Sequence, residues 1–262
     1  MDVTPVRSER RGAAQWVTIA REDRRNVLNT EVVDGIRAAV LAAAGDPAVR
    51  AVVLTGAGER AFCAGADLQA GTGVFTLGLD EPMTDFGRLA RAVRDCGLPL
   101  VARVNGACVA GGMGLLGLCD LALAADHARF GLPEAKVGVF PMQVLVYLRH
   151  LVGARHLNEL CLTGELVDAA RAREIGLVNE VAPAAELDAR VEAMVARLAA
   201  CSPVALKRGK AAIAAMRAMS FHEALTFAEA QIAVASRTAD AQEGLAAFNE
   251  KRPPRWVPRD GG

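Results

Sequence analysis

The absences in this sequence exclude a good deal. Aromatic residues are scarce: one tyrosine, two tryptophans and eight phenylalanines make up 4% of the chain. So few rings give no stacking platform for nucleotide bases. Net charge is missing too. Thirty Lys and Arg balance thirty Asp and Glu, so no overall field draws the chain to nucleic acid or to an anionic membrane. Long apolar runs are lacking. The longest weakly polar stretch covers 14 residues from Gly106 to Cys119, against the roughly 20 that a membrane-spanning helix needs. The N-terminus, MDVTPVRSERR, has no apolar segment of the kind a secretory signal carries. A cytoplasmic protein is expected. The six cysteines (Cys63, Cys96, Cys108, Cys119, Cys161 and Cys201) form no CxxC pair and mostly sit in apolar runs, which reads as buried free thiols. The four histidines show no ligand spacing. Neither a metal nor a covalently held cofactor is expected.

Familiar catalytic signatures are absent as well. There is no Gly-Lys-Ser/Thr to close a P-loop and no Gly-x-Ser-x-Gly elbow. Gly-x-Gly-x-x-Gly does occur, at Gly112 to Gly117, but no acidic residue about 20 positions on closes a second strand.

What is present is a chain of 262 residues, 52% hydrophobic and 23% charged, ample for one sizeable core. Val17 to Ala20 suggest an edge strand. Glu31 to Ala44 repeat apolar residues at helical spacing. The β-branched run from Arg50 to Gly56 predicts a buried strand, as does Leu100 to Val104. A helix is expected over Pro82 to Cys96 and another after the glycines at 106, 111, 112 and 114, reaching about Cys119. Strand returns at Leu121 to Ala125 and Ala128 to Phe130. Beyond Pro141 the pattern turns helical, with Met142, Leu145, Val146 and Leu148 as the expected buried positions. Leu177 to Val181 suggest a last strand, and everything from Ala185 on looks helical. Strands alternating with helices indicate an α/β fold with largely parallel pairing. We expect an α/β core over residues 1–200 and a C-terminal helical region, 201–262, used for assembly.

Four segments carry a resemblance. They are AVVLTGAG at 51–58 followed by RAFCAGADL at 60–68; NGACVAGGMG at 105–114 running into Cys119-Asp120; FGLPEAKVG at 130–138; and FNEKRPP at 248–254. In this order and spacing they resemble the enoyl-CoA hydratase/isomerase (crotonase) family across nearly the whole chain. The resemblance implies a spiral of ββα units, a coenzyme A thioester as substrate, and a homotrimer or homohexamer. It also implies site residues. The backbone N–H groups of Cys63 and Gly111 would hold an enolate oxygen, and Glu134 would move the proton. Ala64, Ala66, Asp67 and Leu68 would contact the adenine moiety, and Arg24 or Arg25 the phosphates or pantetheine. Phe248 and Lys251 would cover the nucleotide of a neighbouring subunit.

The chain departs from the family at one place. Hydratases of this family use two glutamates, the first 20 residues before the second; here that first position is Gly114. Asp120 is a poor substitute, since six residues along a helix amount to about 9 Å and 240°. Met142-Gln143-Val144 also replaces a glycine-rich turn after Pro141. A single glutamate fits transfer of a proton from C2 to C4 of a 3-enoyl thioester better than addition of water. Asp80, Glu81 or Asp85 are candidate replacement acids. Hydrolase or decarboxylase chemistry on the same oxyanion pair, or a non-catalytic acyl-CoA-binding subunit, are further alternatives.

Overall fold

The computed structural model describes residues 4–67, 77 and 82–257; Leu68, Asp80 and Glu81 lie outside the described residues. The chain runs β1 (Val6–Arg11), β2 (Ala14–Ile19), α1 (Thr30–Gly45), β3 (Ala51–Gly56), β4 (Ala61–Cys63), α2 (Asp85–Asp95), β5 (Leu100–Val104), β6 (Ala107–Val109) and α3 (Gly111–Leu118). It continues with β7 (Leu121–Ala125), β8 (Arg129–Gly131), a 3-10 turn over Pro133–Val137, α4 (Met142–Leu148), α5 (Ala154–Thr163), β9 (Val167–Asp168), α6 (Ala169–Glu174) and β10 (Glu180–Ala182). Four helices end it: α7 (Leu187–Ala199), α8 (Pro203–Met216), α9 (Phe221–Ala235) and α10 (Ala239–Asn249).

Two sheets grow together. The larger has the order β1-β2-β3-β5-β7-β10, the smaller β4-β6-β8-β9. Each turn of the chain adds one strand to each sheet and then a helix: β3, β4, α2; then β5, β6, α3; then β7, β8 and the 3-10 turn with α4. This is the ββα spiral. Pairing is parallel apart from β1–β2 and β8–β9.

The apolar runs of β3, β5 and β7 follow from burial on both faces. Val52 and Leu54 point into the main core beneath α1, while Ala51 and Val53 turn to a second layer with Leu187, Val191 and Val195 of α7. Helix α1 begins where the Asn29 side chain accepts from Val32 N at 3.0 Å, an N-cap of the usual kind. It buries Val32, Val33, Ile36, Val40 and Ala43.

Three expectations need correction. The strand read near Val17 spans Ala14–Ile19 and is not an edge: β1 pairs with its outer side and β3 with its inner side. The charged string VRSERR hides β1 in the sequence because all but its first residue are exposed, and charge on an edge strand blocks further pairing. The helix expected from Pro82 starts at Asp85, where Thr84 Oγ1 accepts from Gly87 N at 3.0 Å. In α4 the buried residues are Val144 and Leu148, with Leu145 partly covered; Met142 and Val146 are 68% and 52% exposed. That face is set by α3, whose glycines let α4 come close. A Cβ at Gly114 would stand 3.2 Å from Val144 Cγ2, and one at Gly117 2.8 Å from the Tyr147 Cβ.

The C-terminal helices contrast with the rest. No described residue of α8 or α9 is buried, and α10 buries Ala247 alone. Ile213, Phe221, Leu225, Ile232 and Phe248 are large, apolar and exposed. The tail folds back on this layer: the Trp256 indole donates to Ala200 O at 3.1 Å, and Arg252 pairs with Glu243 at 2.6 Å.

Candidate active site

Three parallel strands of the small sheet end side by side. The register sets Cys63 beside Cys108, Cys108 beside Phe130, and Val109 beside Gly131. Adjacent strands lie about 4.8 Å apart. Beyond their carboxyl ends come Ala64 after β4, the start of α3 at Gly111 after β6, and the turn bearing Glu134 after β8. Ala110 N donates to Gly131 O at 3.0 Å, tying the second and third ends together. Crevices outside the carboxyl ends of parallel strands are where α/β folds bind ligands.

Helix α3 begins against β4. A Cβ at Gly112 would overlap the carbonyl oxygen of Cys63, so only glycine allows this approach; at Gly111 a Cβ would stand 3.3 Å from Leu28 Cδ1. Packing of the helix start on β4 demands glycine at 112 more than at 111. As the first residue of α3, Gly111 has an N–H outside the intrahelical ladder. The residue before it, Ala110, is held at φ 51° and ψ −119°. A non-glycine residue in this region costs on the order of 1–3 kcal/mol, and such strain gathers at functional sites. Burial pushes the Cys63 thiol up to about 12, and its sulfur lies 3.9 Å from Gly65 O. At neutral pH it is a protonated core side chain, and the chemistry available at this position is that of its backbone.

Two buried asparagines hold the approach to Cys63. Asn105 Oδ1 accepts from Gly56 N at 3.1 Å, and its Nδ2 donates to Gly58 O at 2.7 Å and Ala61 O at 3.1 Å. Asn26 Nδ2 donates to the same Ala61 O at 2.7 Å and to Ala57 O at 3.0 Å. Sequence reasoning missed this role. A polar residue opening a glycine stretch marked Asn105, but nothing local marked Asn26.

Glu134 is half-buried on the 3-10 turn, and its Oε2 is buried without a hydrogen-bond partner among the described residues. Burial raises its carboxyl above the ordinary value, partly offset by its own backbone N–H. The carboxylate also contributes to holding the Cys161 thiol up at about 11, after burial as the larger cause. An unsatisfied, desolvated carboxyl is what a general base looks like before its substrate arrives.

Gly114 is buried, and a Cβ there would stand 2.8 Å from Phe86 Cζ and 3.2 Å from Val144 Cγ2. The place of a second acid is thus walled by hydrocarbon, and Met142 takes no part in that wall. Of the replacement acids, Asp85 is ion-paired with Arg88 and accepts from Thr30 Oγ1 at 2.7 Å. Asp120 accepts from Leu100 N at 2.8 Å and pairs with Lys210 at 2.7 Å.

The strip expected to meet the nucleotide docks on residues 25–28. Ala64 N donates to Arg25 O at 3.1 Å, Ala66 bridges Leu28, and Asp67 N donates to Leu28 O at 2.8 Å. The Asp67 carboxylate is buried between Arg21 and Arg24 at 3.0 and 2.9 Å, so its side chain is engaged within the protein. Phe248 and Lys251 are carried by the end of α10 in the C-terminal layer, with Phe248 80% exposed. Among the described residues no group of three His, Cys, Asp or Glu could hold a metal ion.

The enoyl-CoA hydratase/isomerase family model matches residues 9–259. The chain belongs to this family. It is therefore an enzyme of the acyl-CoA class. A Mycobacterium bovis protein named probable enoyl-CoA hydratase is 35% identical over 248 residues, 93% of this chain and 94% of that one. A match to a Thermus thermophilus protein is 39% identical but spans 60% of this chain and 62% of that one. The crystal structure of an enoyl-CoA hydratase from Mycobacterium smegmatis superposes with a TM-score of 0.87 at 32% identity, covering 97% of this chain and 99% of that one.

Proposed function

We propose that this enzyme moves the double bond of an acyl-CoA thioester from the 3 to the 2 position, with Glu134 as its single proton carrier. The observation that carries this is the unequal pair of positions 20 residues apart: a partly desolvated carboxyl at Glu134, whose Oε2 has no hydrogen-bond partner among the described residues, and hydrocarbon packed against Gly114. Glu134 takes the proton from C2. The electrons run into the thioester carbonyl, and the N–H groups of Cys63 and Gly111 hold the oxygen, each worth roughly 2.7–4 kcal/mol in comparable sites. The positive end of α3 adds to their pull. The proton then returns at C4, and nothing is gained or lost from the substrate. The coenzyme's nucleotide lies along residues 64–68 with Arg24 or Arg25 near its phosphates, and Phe248 and Lys251 of a neighbouring subunit cover it.

The second reading is hydration. It is favoured by the names of the relatives, which include a crotonyl-CoA hydratase of Syntrophomonas wolfei at 31% identity over 244 residues. It needs a replacement acid, and Asp80 and Glu81 are the candidates left. The assay that separates the two compares a 3-enoyl-CoA with a 2-enoyl-CoA on the unmodified enzyme, with chelator present. Fast isomerisation and slow hydration are expected. The reverse order sinks the proposal, and turnover of neither points to a binding subunit.

We further propose a cytoplasmic homotrimer or homohexamer assembled through residues 201–262. The support is α8 and α9, which bury no described residue despite their apolar content. Among the described residues no helix is long and apolar enough to cross a membrane. Sedimentation should give a mass several times 27.5 kDa; a monomer at micromolar concentration refutes the assembly.

A further inference from the structure

We infer that Phe86 of α2, backed by Val144 of α4, closes the place where a second carboxylate and its water would stand, and so keeps this enzyme's proton transfer dry. The inference rests on the single-glutamate reading above and deepens it: the missing acid at position 114 is one half of the device, and the ring that occupies its space is the other.

The contact is close. A Cβ on Gly114 would lie 2.8 Å from Phe86 Cζ and 3.5 Å from Phe86 Cε1, with Val144 Cγ2 at 3.2 Å on another side. Real Cβ atoms do not come within 3 Å of a ring carbon, so even alanine would force the ring to shift, and glutamate brings four heavy atoms more. The ring is partly buried and held by contacts on two sides. Its edge meets Tyr147 with centroids 6.3 Å apart and planes at 64°, and it packs against the main core. The start of α2 is pinned on both sides of it. Thr84, itself buried, caps the helix through Gly87 N and accepts from Gln143 Nε2 at 2.6 Å, while Asp85 holds Arg88 and Thr30. These bonds tie α2 to α1 and α4, and the wall is built from three elements at once.

A wall of this kind decides between reactions. Hydration breaks an O–H bond of water and forms C–O and C–H bonds across the 2,3 double bond, so the water must be held by two to four polar partners near its target. Phe86 and Val144 offer it none, and Glu134 supplies one partner. Isomerisation breaks C2–H, lends the proton to the Glu134 carboxylate and forms C4–H. It needs no third molecule.

The test is a set of four proteins: the unmodified enzyme, Gly114→Glu, Phe86→Ala and the two together. Each is assayed for hydration of a 2-enoyl-CoA in ¹⁸O-labelled water, for isomerisation of a 3-enoyl-CoA, and for thermal unfolding. Gly114→Glu alone should gain no hydration. Joined to Phe86→Ala it should gain about a hundredfold or more, the scale of one recovered acid–base group. A gain of that size from Gly114→Glu alone overturns the inference, as does no gain from a double variant that unfolds cooperatively. If the glutamate prevents folding in both backgrounds, Gly114→Ala is the gentler probe. It should lower the melting temperature when Phe86 is present and not when Phe86 is alanine; equal shifts in both backgrounds overturn the inference. Failure of the isomerase reading is visible separately. An unmodified enzyme that turns over no 3-enoyl-CoA ends that reading alone, because the coupling of positions 114 and 86 is scored on hydration and melting.

Discussion

Glu134 and Gly114 stand 20 residues apart in the sequence, and their surroundings are opposite. Around Glu134 a buried carboxylate oxygen has no hydrogen-bond partner among the described residues. Around Gly114 a phenyl ring and a valine methyl pack so closely that a single added carbon would force the ring to shift. One position holds polarity in reserve and the other has been filled with hydrocarbon. Neighbouring side chains occupy the volume at position 114 and leave no void. In the reading proposed above, the residues that fill that space matter to the chemistry as much as the acid that is absent.

The comparison breaks most visibly at Glu134. Glu134→Gln keeps size and hydrogen-bonding capacity but removes the base, and should lower kcat by about 10²–10⁴. Steady-state rates on a 3-enoyl-CoA check it, and a variant retaining a tenth of the parent's activity would show that another group carries the proton.

The next effect is on pH dependence. Burial raises the Glu134 carboxyl above its ordinary 4.5, so the basic form needed for proton abstraction accumulates only above that value. The acid limb of kcat/KM should lie above 4.5 accordingly. The sign for stability is the reverse. The unfolded chain ionises at the ordinary value while the folded one holds its proton longer, so the folded state loses stability as pH rises from 4.5 through the raised value. Glu134→Gln removes that loss, and its melting temperature at neutral pH should not fall below the parent's. An acid limb at or below the ordinary glutamate range breaks this account.

The smallest effect is expected at Cys63. Its thiol is buried and protonated, with a value near 12, and the proposed donor is the backbone N–H. Cys63→Ala should leave kcat within about threefold of the parent, since backbone donors survive side-chain truncation. A loss beyond a hundredfold in a variant that folds normally would give the thiol a part in the reaction.

Much of this organisation is legible from residues alone. The β-branched runs mark β3 and β5 because strands buried on both faces have no polar side to confuse the pattern. The two unequal positions, Gly114 and Glu134, come from the resemblance to the family and its 20-residue spacing, not from any local pattern. What is not legible involves partners distant in sequence. Phe86 lies 28 residues before Gly114 on a different helix, and no local pattern says that its ring ends there. Asn26 meets Asn105 on one carbonyl, that of Ala61, which only the folded chain brings together. In α4, a helical period identified the helix but not its inward face. That face is chosen by the glycines of α3, so Val144 and not Met142 becomes part of the wall. β1 is hidden in the sequence for the opposite reason: an exposed edge strand has no need of apolar residues to exist.

The uncovered helices α8 and α9 carry a consequence for what the word stability means in this protein. A core sealed within one chain has a free energy of folding that does not depend on the concentration of that chain. Under the assembly proposed above, the apolar side chains of this layer find cover on other copies. Its order then depends on mass action, and the amount of the protein becomes one of the variables that fold it.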